Sequence, residues 1–180
     1  MTLSFSTHWP KHMGEWAGQP NYFPEKIIAG LDLSIIRKCT LNDLLAEVVN
    51  PTDAEFMNGS TNPNYGHKPK LHTIRHDPHG RWKAGMKIHP VINNRTKNRF
   101  QFSPVIKCVS VQSIEITKSK LLEYGYAAKI PLVYIDDVLL ESDDLEKLAI
   151  NDGFPTLKAF FAYFNEDFQG KIIHWTDLKY

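Results

Sequence analysis

The run Lys70-Leu71-His72-Thr73-Ile74-Arg75 places an ammonium, an imidazole, a hydroxyl and a guanidinium close together in sequence. Such a set can bind phosphate, move protons or activate a hydroxyl for attack. It lies inside a basic stretch: from His67 to Lys107 there are ten Lys/Arg against one acid, Asp77, together with five of the chain's eight histidines. Acidic segments flank it, so a net charge of +1 conceals a local excess of +9. Cations gathered in this way replace the counterions condensed along a nucleic-acid backbone. His72, Arg75, His76, Arg81, Trp82, Lys83, Arg95, Lys97 and Arg99 are therefore read as a nucleic-acid-binding set, with His79 as a further phosphate contact. Trp82, Phe100 and Phe102, interleaved with the cations, would stack on bases. His72, His76 and His79 around Asp77 also raise a metal site, but they straddle a strand end and a turn without the spacing of a local zinc site. No metal and no cofactor is expected. A Gly-rich phosphate loop and a nucleophile elbow are both missing from the sequence.

The elements that must position these residues follow from pattern. Leu3 to Ser6 alternates as a short strand, and a helix opens at Pro24 with Glu25 in its first turn and Gly30 as its stop. Leu41 to Val49 has helical spacing after Thr40, and Asn50 to Pro69 reads as a long loop. Lys70 to Arg75 is a strand ended by the turn Asp77-Pro78-His79-Gly80, and Met86 to Ile92 is the next. Val105 to Ile116 alternates throughout and predicts one long strand. Leu132 to Ile135 and Val138 to Leu140 flank an Asp136-Asp137 turn. Ser142 is placed to cap a helix with Asp143 and Asp144 in its first turn, and Gly153 stops it. Pro155 starts another helix, with Leu157, Phe160, Phe161 and Phe164 as its core side; Lys171 to Trp175 is a terminal strand. Short strands with two late helices predict an α+β domain, a curled sheet or small barrel with helices at its ends.

The strand Lys70-x-x-Thr73-x-Arg75, followed after a turn by Lys83-Ala84-Gly85 and a second strand, resembles the signature of ASCH domains, members of the PUA-like superfamily. Phe23 to Gly30 is similar to the family's opening helix, and Leu145 to Asp152 with Phe160 to Phe164 to its late helical pair. The resemblance covers about two thirds of the chain. It departs from the pattern at Met86, where Asp is common, and in added material at about 31–69 and 121–140. It implies a PUA-like β-barrel with flanking helices, a single domain over 1–180 and a bacterial or phage setting. Some ASCH proteins remove the acyl group of N4-acetylcytidine with a Lys, a Thr and a carboxylate. By motif match Lys70 and Thr73 take the first two positions, and Asp152 stands where the family usually has Glu. A desolvated Lys70 would deprotonate Thr73 for attack on the amide, and Asp152 would transfer a proton to the leaving amine. Strand parity puts Thr73 and Arg75 on one face and Lys70 on the other, so Lys70 must sit at a bend, which Pro69 could provide. The expected function is RNA or modified-nucleoside binding in a basic cleft floored by Lys70, Thr73 and Arg75. N4-acetylcytidine hydrolysis is the first alternative, and a ribonuclease using His72 or His76 beside Lys70 the second.

Composition bounds the rest. With 180 residues, 42% hydrophobic and 23% charged, the chain can bury a core without staples, which excludes fibrous and wholly disordered classes. Its two cysteines, Cys39 and Cys108, are far apart and read as buried thiols of a reducing, cytoplasmic compartment. No membrane partner is expected, because no apolar run approaches the ~18 residues of a span, and the first ten residues lack the pattern of a signal peptide.

Overall fold

The computed structural model of the chain describes residues 1–31, 68–118 and 131–180. The helix expected over Leu41 to Val49, Cys39, the loop from Asn50 as far as 67, and the first part of the 121–140 addition lie outside the described residues. The described elements are mixed α and β. A short 3-10 segment (Lys11–Trp16) follows β1 (Thr2–Ser4) and precedes α1 (Phe23–Ala29), where Pro24 and Glu25 open the helix and Gly30 caps it as its signals require. Then come β2 (His72–Arg75), β3 (Lys87–Ile92), β4 (Phe100–Gln101), β5 (Ile106–Lys107), β6 (Ser110–Thr117), β7 (Leu132–Ile135) and β8 (Val138–Leu139). Helices α2 (Ser142–Asn151) and α3 (Leu157–Tyr163) and strand β9 (Phe168–His174) complete the order.

The strands pair as two sheets, and among the described residues they form no closed barrel. The larger has the order β2-β9-β6-β7-β8, all antiparallel. In the smaller, β3 is flanked by β1, parallel to it, and by β4 and β5, antiparallel. The long alternating run from Val105 is therefore shared between sheets. Cys108 bonds across to Met86 and Gly85, Val109 bonds to His174, and the chain crosses from one sheet to the other between them. The terminal strand expected over Lys171 to Trp175 forms as β9 and is central in its sheet: it lies between β2 and β6, and its Ile172 and Ile173, both fully buried, need cover on both faces.

One face of the large sheet carries Ile74, Ile172, Ile114, Ile116, Val133 and Ile135, which share a single hydrophobic cluster with Leu148 and Ala149 of α2 and Ala159 and Phe160 of α3. Material read as added at 121–140 contributes β7 and β8 to this sheet from Leu132 on. Asp136 and Asp137 join those strands with φ of 48° and 68°, the two left-handed residues a tight hairpin turn needs. The Asp136 carboxylate anchors the turn by accepting from the Ser113 N–H at 2.8 Å and from Gln112 at 3.0 Å.

Helix boundaries differ by a residue or two from the sequence signals. Glu141 is the N-cap of α2 and Ser142 its first residue, while Thr156 rather than Pro155 begins α3 by accepting from the Ala159 N–H at 3.1 Å. Gly153 ends α2 at a φ of +88°, which turns the chain under Phe23 and Lys70. A Cβ there would sit 3.0 Å from the Phe23 ring and 3.2 Å from Lys70 Cδ. Gly153→Ala should therefore destabilise the fold by about 2 kcal/mol through strain and overlap. The check is a lower urea midpoint with an unchanged m-value.

Candidate functional site

Lys70 stands just before β2, in a segment clipped between two helices. Its N–H donates to the Lys26 carbonyl of α1, and the Leu71 N–H donates to the Asn151 carbonyl at the end of α2. That clip turns the Lys70 side chain inward, where it is only 1% exposed. Its Nζ lies 4.6 Å from the centre of the Phe23 ring and donates to both the carbonyl and the Oδ1 of Asp152, the latter at 2.6 Å. Asp152 is the C-cap of α2, so its carboxylate faces the negative end of the helix. Two buried ammonium groups offset this: Lys70, and Lys26, whose Nζ donates to the Gly153 carbonyl at 2.7 Å. Burial pulls both lysines down to about 8. Burial would raise the Asp152 carboxyl, but the Lys70 charge and the His72 ring hold it below its usual range.

His72 is wholly buried, its Nδ1 3.5 Å from Asp152 Oδ1 and its Nε2 2.8 Å from the Tyr180 hydroxyl. Burial lowers its pKa, so the ring is neutral near pH 7. Placing its proton on Nδ1, toward the carboxylate, leaves Nε2 to accept from the tyrosine hydroxyl. That hydroxyl in turn accepts from Asn151 Nδ2 at 3.0 Å. A chain of polar groups thus runs Lys70, Asp152, His72, Tyr180. Strand register extends it sideways. His72 pairs with His174, and His174 with Ser110, so the three form a polar row across β2, β9 and β6 on the face that carries the isoleucines. The two imidazoles lie 5.2 Å apart. Among the described residues neither ring nitrogen of His174 has a hydrogen-bonding partner, nor has Ser110 Oγ. Burial, followed by the neighbouring His72, pushes the His174 pKa down to about 3.

Of the residues expected to act together, Lys70 and Asp152 meet, whereas Thr73 has no hydrogen bond to either. Thr73 pairs with Ile173 on the opposite face of the sheet, beside Arg75, as strand parity requires. Arg75 turns to the smaller sheet, donating to the Ser4 carbonyl at 2.8 Å and lying 5.0 Å from the Phe5 ring. His72 faces inward, so it offers no surface contact to nucleic acid. Trp82 does not stack at the surface either. The buried Asp77 carboxylate accepts from the Arg81 and Trp82 N–H groups, and the indole packs into the core; Phe102 is fully buried and Phe100 half-buried. His76, His79, Arg81, Lys83, Arg95, Lys97 and Arg99 are exposed. Among the described residues, no group of three His, Cys, Asp or Glu side chains is arranged to hold a metal ion. Cys108 is buried, and its thiol donates to the Ser110 carbonyl.

Three further features had no sequence signal. His174 and Tyr180 reach the site only through the pairing of β9 with β2 and the fold-back of residues 175–180. Lys87 and Lys107 stand directly opposite each other on β3 and β5, both exposed, and neither has an acidic partner among the described residues. A separate cleft of about 290 Å³, lined by His76, Ser113, Tyr134, Gln169 and Lys171, opens on the sheet face away from the polar row. Among the described residues no helix is long and apolar enough to cross a membrane. Compared with protein-family models, curated proteins and solved structures, the chain gives no match.

Two measurements probe this centre. Asp152→Ala leaves a buried ammonium unpaired and should cost about 3–5 kcal/mol, while Lys70→Met combined with Asp152→Leu should recover most of that in urea unfolding. Because His174 stays neutral in the fold down to about pH 3 but takes a proton near 6.5 when unfolded, the unfolded chain binds more protons in that window. Stability should therefore fall as pH drops from about 6.5 toward 3. His174→Phe should shift the midpoint of acid unfolding to lower pH.

Proposed function

We propose that the chain is an ASCH-like domain that binds RNA or a modified nucleoside, as its strand motif implies. The observation that carries this reading is the Lys87–Lys107 pair. Like charges directly opposite on neighbouring strands repel, and neither lysine is neutralised by an acid among the described residues. An anionic ligand converts that repulsion into binding. His89 alternates onto the same face as Lys87, while Arg81 and Lys83 lie in the turn that leads into β3. Arg95, Lys97 and Arg99 lie in the turn that leaves β3. At ~3.3 Å per residue the six residues of β3 separate the two cationic groups by roughly 17 Å, a span suited to a strand rather than a single phosphate. The reading includes the PUA-like barrel, with the two sheets as its halves joined through the 106–117 run, and a reducing cytoplasmic setting for the buried Cys108 thiol.

A second reading, hydrolysis of N4-acetylcytidine, is favoured by the Lys70–Asp152 pair, since an ammonium brought down to about 8 beside a carboxylate and a neutral imidazole is equipped for proton transfer. It stands second because Thr73, its nucleophile, is not hydrogen-bonded to that pair. Single-stranded RNA should bind with an affinity that falls steeply with salt. In Lys87→Gln/Lys107→Gln the slope of log affinity against log salt should flatten by roughly 1.4, at about 0.7 per phosphate contact. Binding indifferent to salt would sink the RNA reading, and mass spectrometry of N4-acetylcytidine incubated with wild type and Lys70→Ala decides the second.

A further inference from the structure

Tyr180 is held as a ligand would be. Its hydroxyl bonds to His72 Nε2 at 2.8 Å and to Asn151 Nδ2 at 3.0 Å. Its backbone N–H donates to Gln112 Oε1 at 3.1 Å, and its carbonyl accepts from Gln112 Nε2 at 2.8 Å, so one side-chain amide reads a donor and an acceptor together. The ring stands edge-on to His72 at 5.4 Å and tilted over His174 at 6.2 Å. Tyr180 is itself only half-buried at the edge of the hydrophobic cluster, and Asp177 and Lys179 before it are exposed.

The seat has more hydrogen-bonding capacity than the phenol uses. Among the described residues, both His174 nitrogens and Ser110 Oγ are buried without a partner. Each such orphan costs about 1–3 kcal/mol, and three of them gathered on two neighbouring residues of one row call for a partner. A phenol brings one polar atom to the imidazoles. A flat ring with several heteroatoms, bearing an adjacent donor and acceptor for a side-chain amide, matches the seat better, and that is the chemistry of a nucleobase edge.

We propose that the Tyr180 seat, formed by His72, His174, Asn151, Gln112 and Ser110, is a nucleobase-binding site that Tyr180 occupies as the chain's own stand-in. Withdrawal of the tyrosine frees His72 Nε2 and the Asn151 amide for the ligand, with Asp152 and Lys70, 4% and 1% exposed, behind the imidazole. The inference deepens the nucleoside reading and rests on it for the class of ligand.

The test compares wild type, Tyr180→Ala and Tyr180→Phe, each checked for folding by circular dichroism, in titrations with cytidine and with p-cresol. Binding is followed by calorimetry and by the imidazole nitrogen signals of His72 and His174. Tyr180→Ala should bind cytidine at least tenfold more tightly than wild type, with shifts at both histidines. Tyr180→Phe should fall between, since it keeps the ring and loses the hydroxyl bonds. Adding His174→Phe to Tyr180→Ala should abolish the gain. Equal cytidine affinity in wild type and a folded Tyr180→Ala overturns the proposal. So does binding of p-cresol without cytidine, which makes the seat a simple tyrosine socket. Histidine signals that neither compound moves, in either variant, overturn it as well, leaving the orphaned atoms to internal water. Cytidine binding in Tyr180→Ala, with no salt-dependent RNA binding by wild type, would uphold this site while removing the RNA reading.

Discussion

The interaction on which the site depends is the ion pair between Lys70 and Asp152, almost wholly withdrawn from water. Two charges in that position are costly unless they face each other and their remaining hydrogen-bonding capacity is met. The geometry meets it: the ammonium donates to the carboxylate and the carbonyl of Asp152, and the carboxylate lies between an ammonium and an imidazole. The same pair ties together parts far apart in sequence. Through Lys26 and the Lys70 backbone it docks α1; through Asn151 and Asp152 it docks the end of α2; through His72 it reaches the central strands. Gly153 lets the chain pass close enough for all of this, because any side chain there would press on Phe23 and Lys70.

Around that pair the cations divide into two populations with different physics. Lys26, Lys70 and Arg75 are turned inward and held by carbonyls, a carboxylate or aromatic rings, so their charge is engaged within the fold. Lys83, Lys87, Arg95, Lys97, Arg99 and Lys107 face water without acidic partners among the described residues. Only this second population is available to an anionic partner. A single basic stretch in sequence therefore contains both a structural centre and an exposed cationic surface, separated by strand parity and by the turn at Asp77.

Local rules read much of the architecture correctly. Pro24, Glu25 and Gly30 bound α1, the Asp136-Asp137 turn joins two short strands, and the spacing of Leu145, Leu148, Ala149 and Phe160 marks the helical sides that reach the core. The mixed α and β character followed from these, whereas the pairing of Lys70 with Asp152 was implied only by the family resemblance. Misreadings arose where a local pattern has more than one tertiary solution. Alternation from Val105 to Ile116 fits one strand or two successive ones, and pairing of its first part with β3 and of its second with β9 and β7 decided for two. Trp82 carries no label saying whether its ring stacks outward or packs inward; the Asp77 carboxylate, by capturing its N–H, turned it inward.

By itself the sequence determined the periodicities, the turn chemistry and the concentration of cations between His67 and Lys107, because those depend on neighbours within a few residues. Tertiary structure alone decided which charges are buried, that Lys87 faces Lys107, and that His72, His174 and Ser110 form one row beneath Tyr180. The reason is that burial and cross-strand pairing are set by contacts between segments far apart in sequence, as between His72 and His174. No local spacing encodes which strand becomes the neighbour of which.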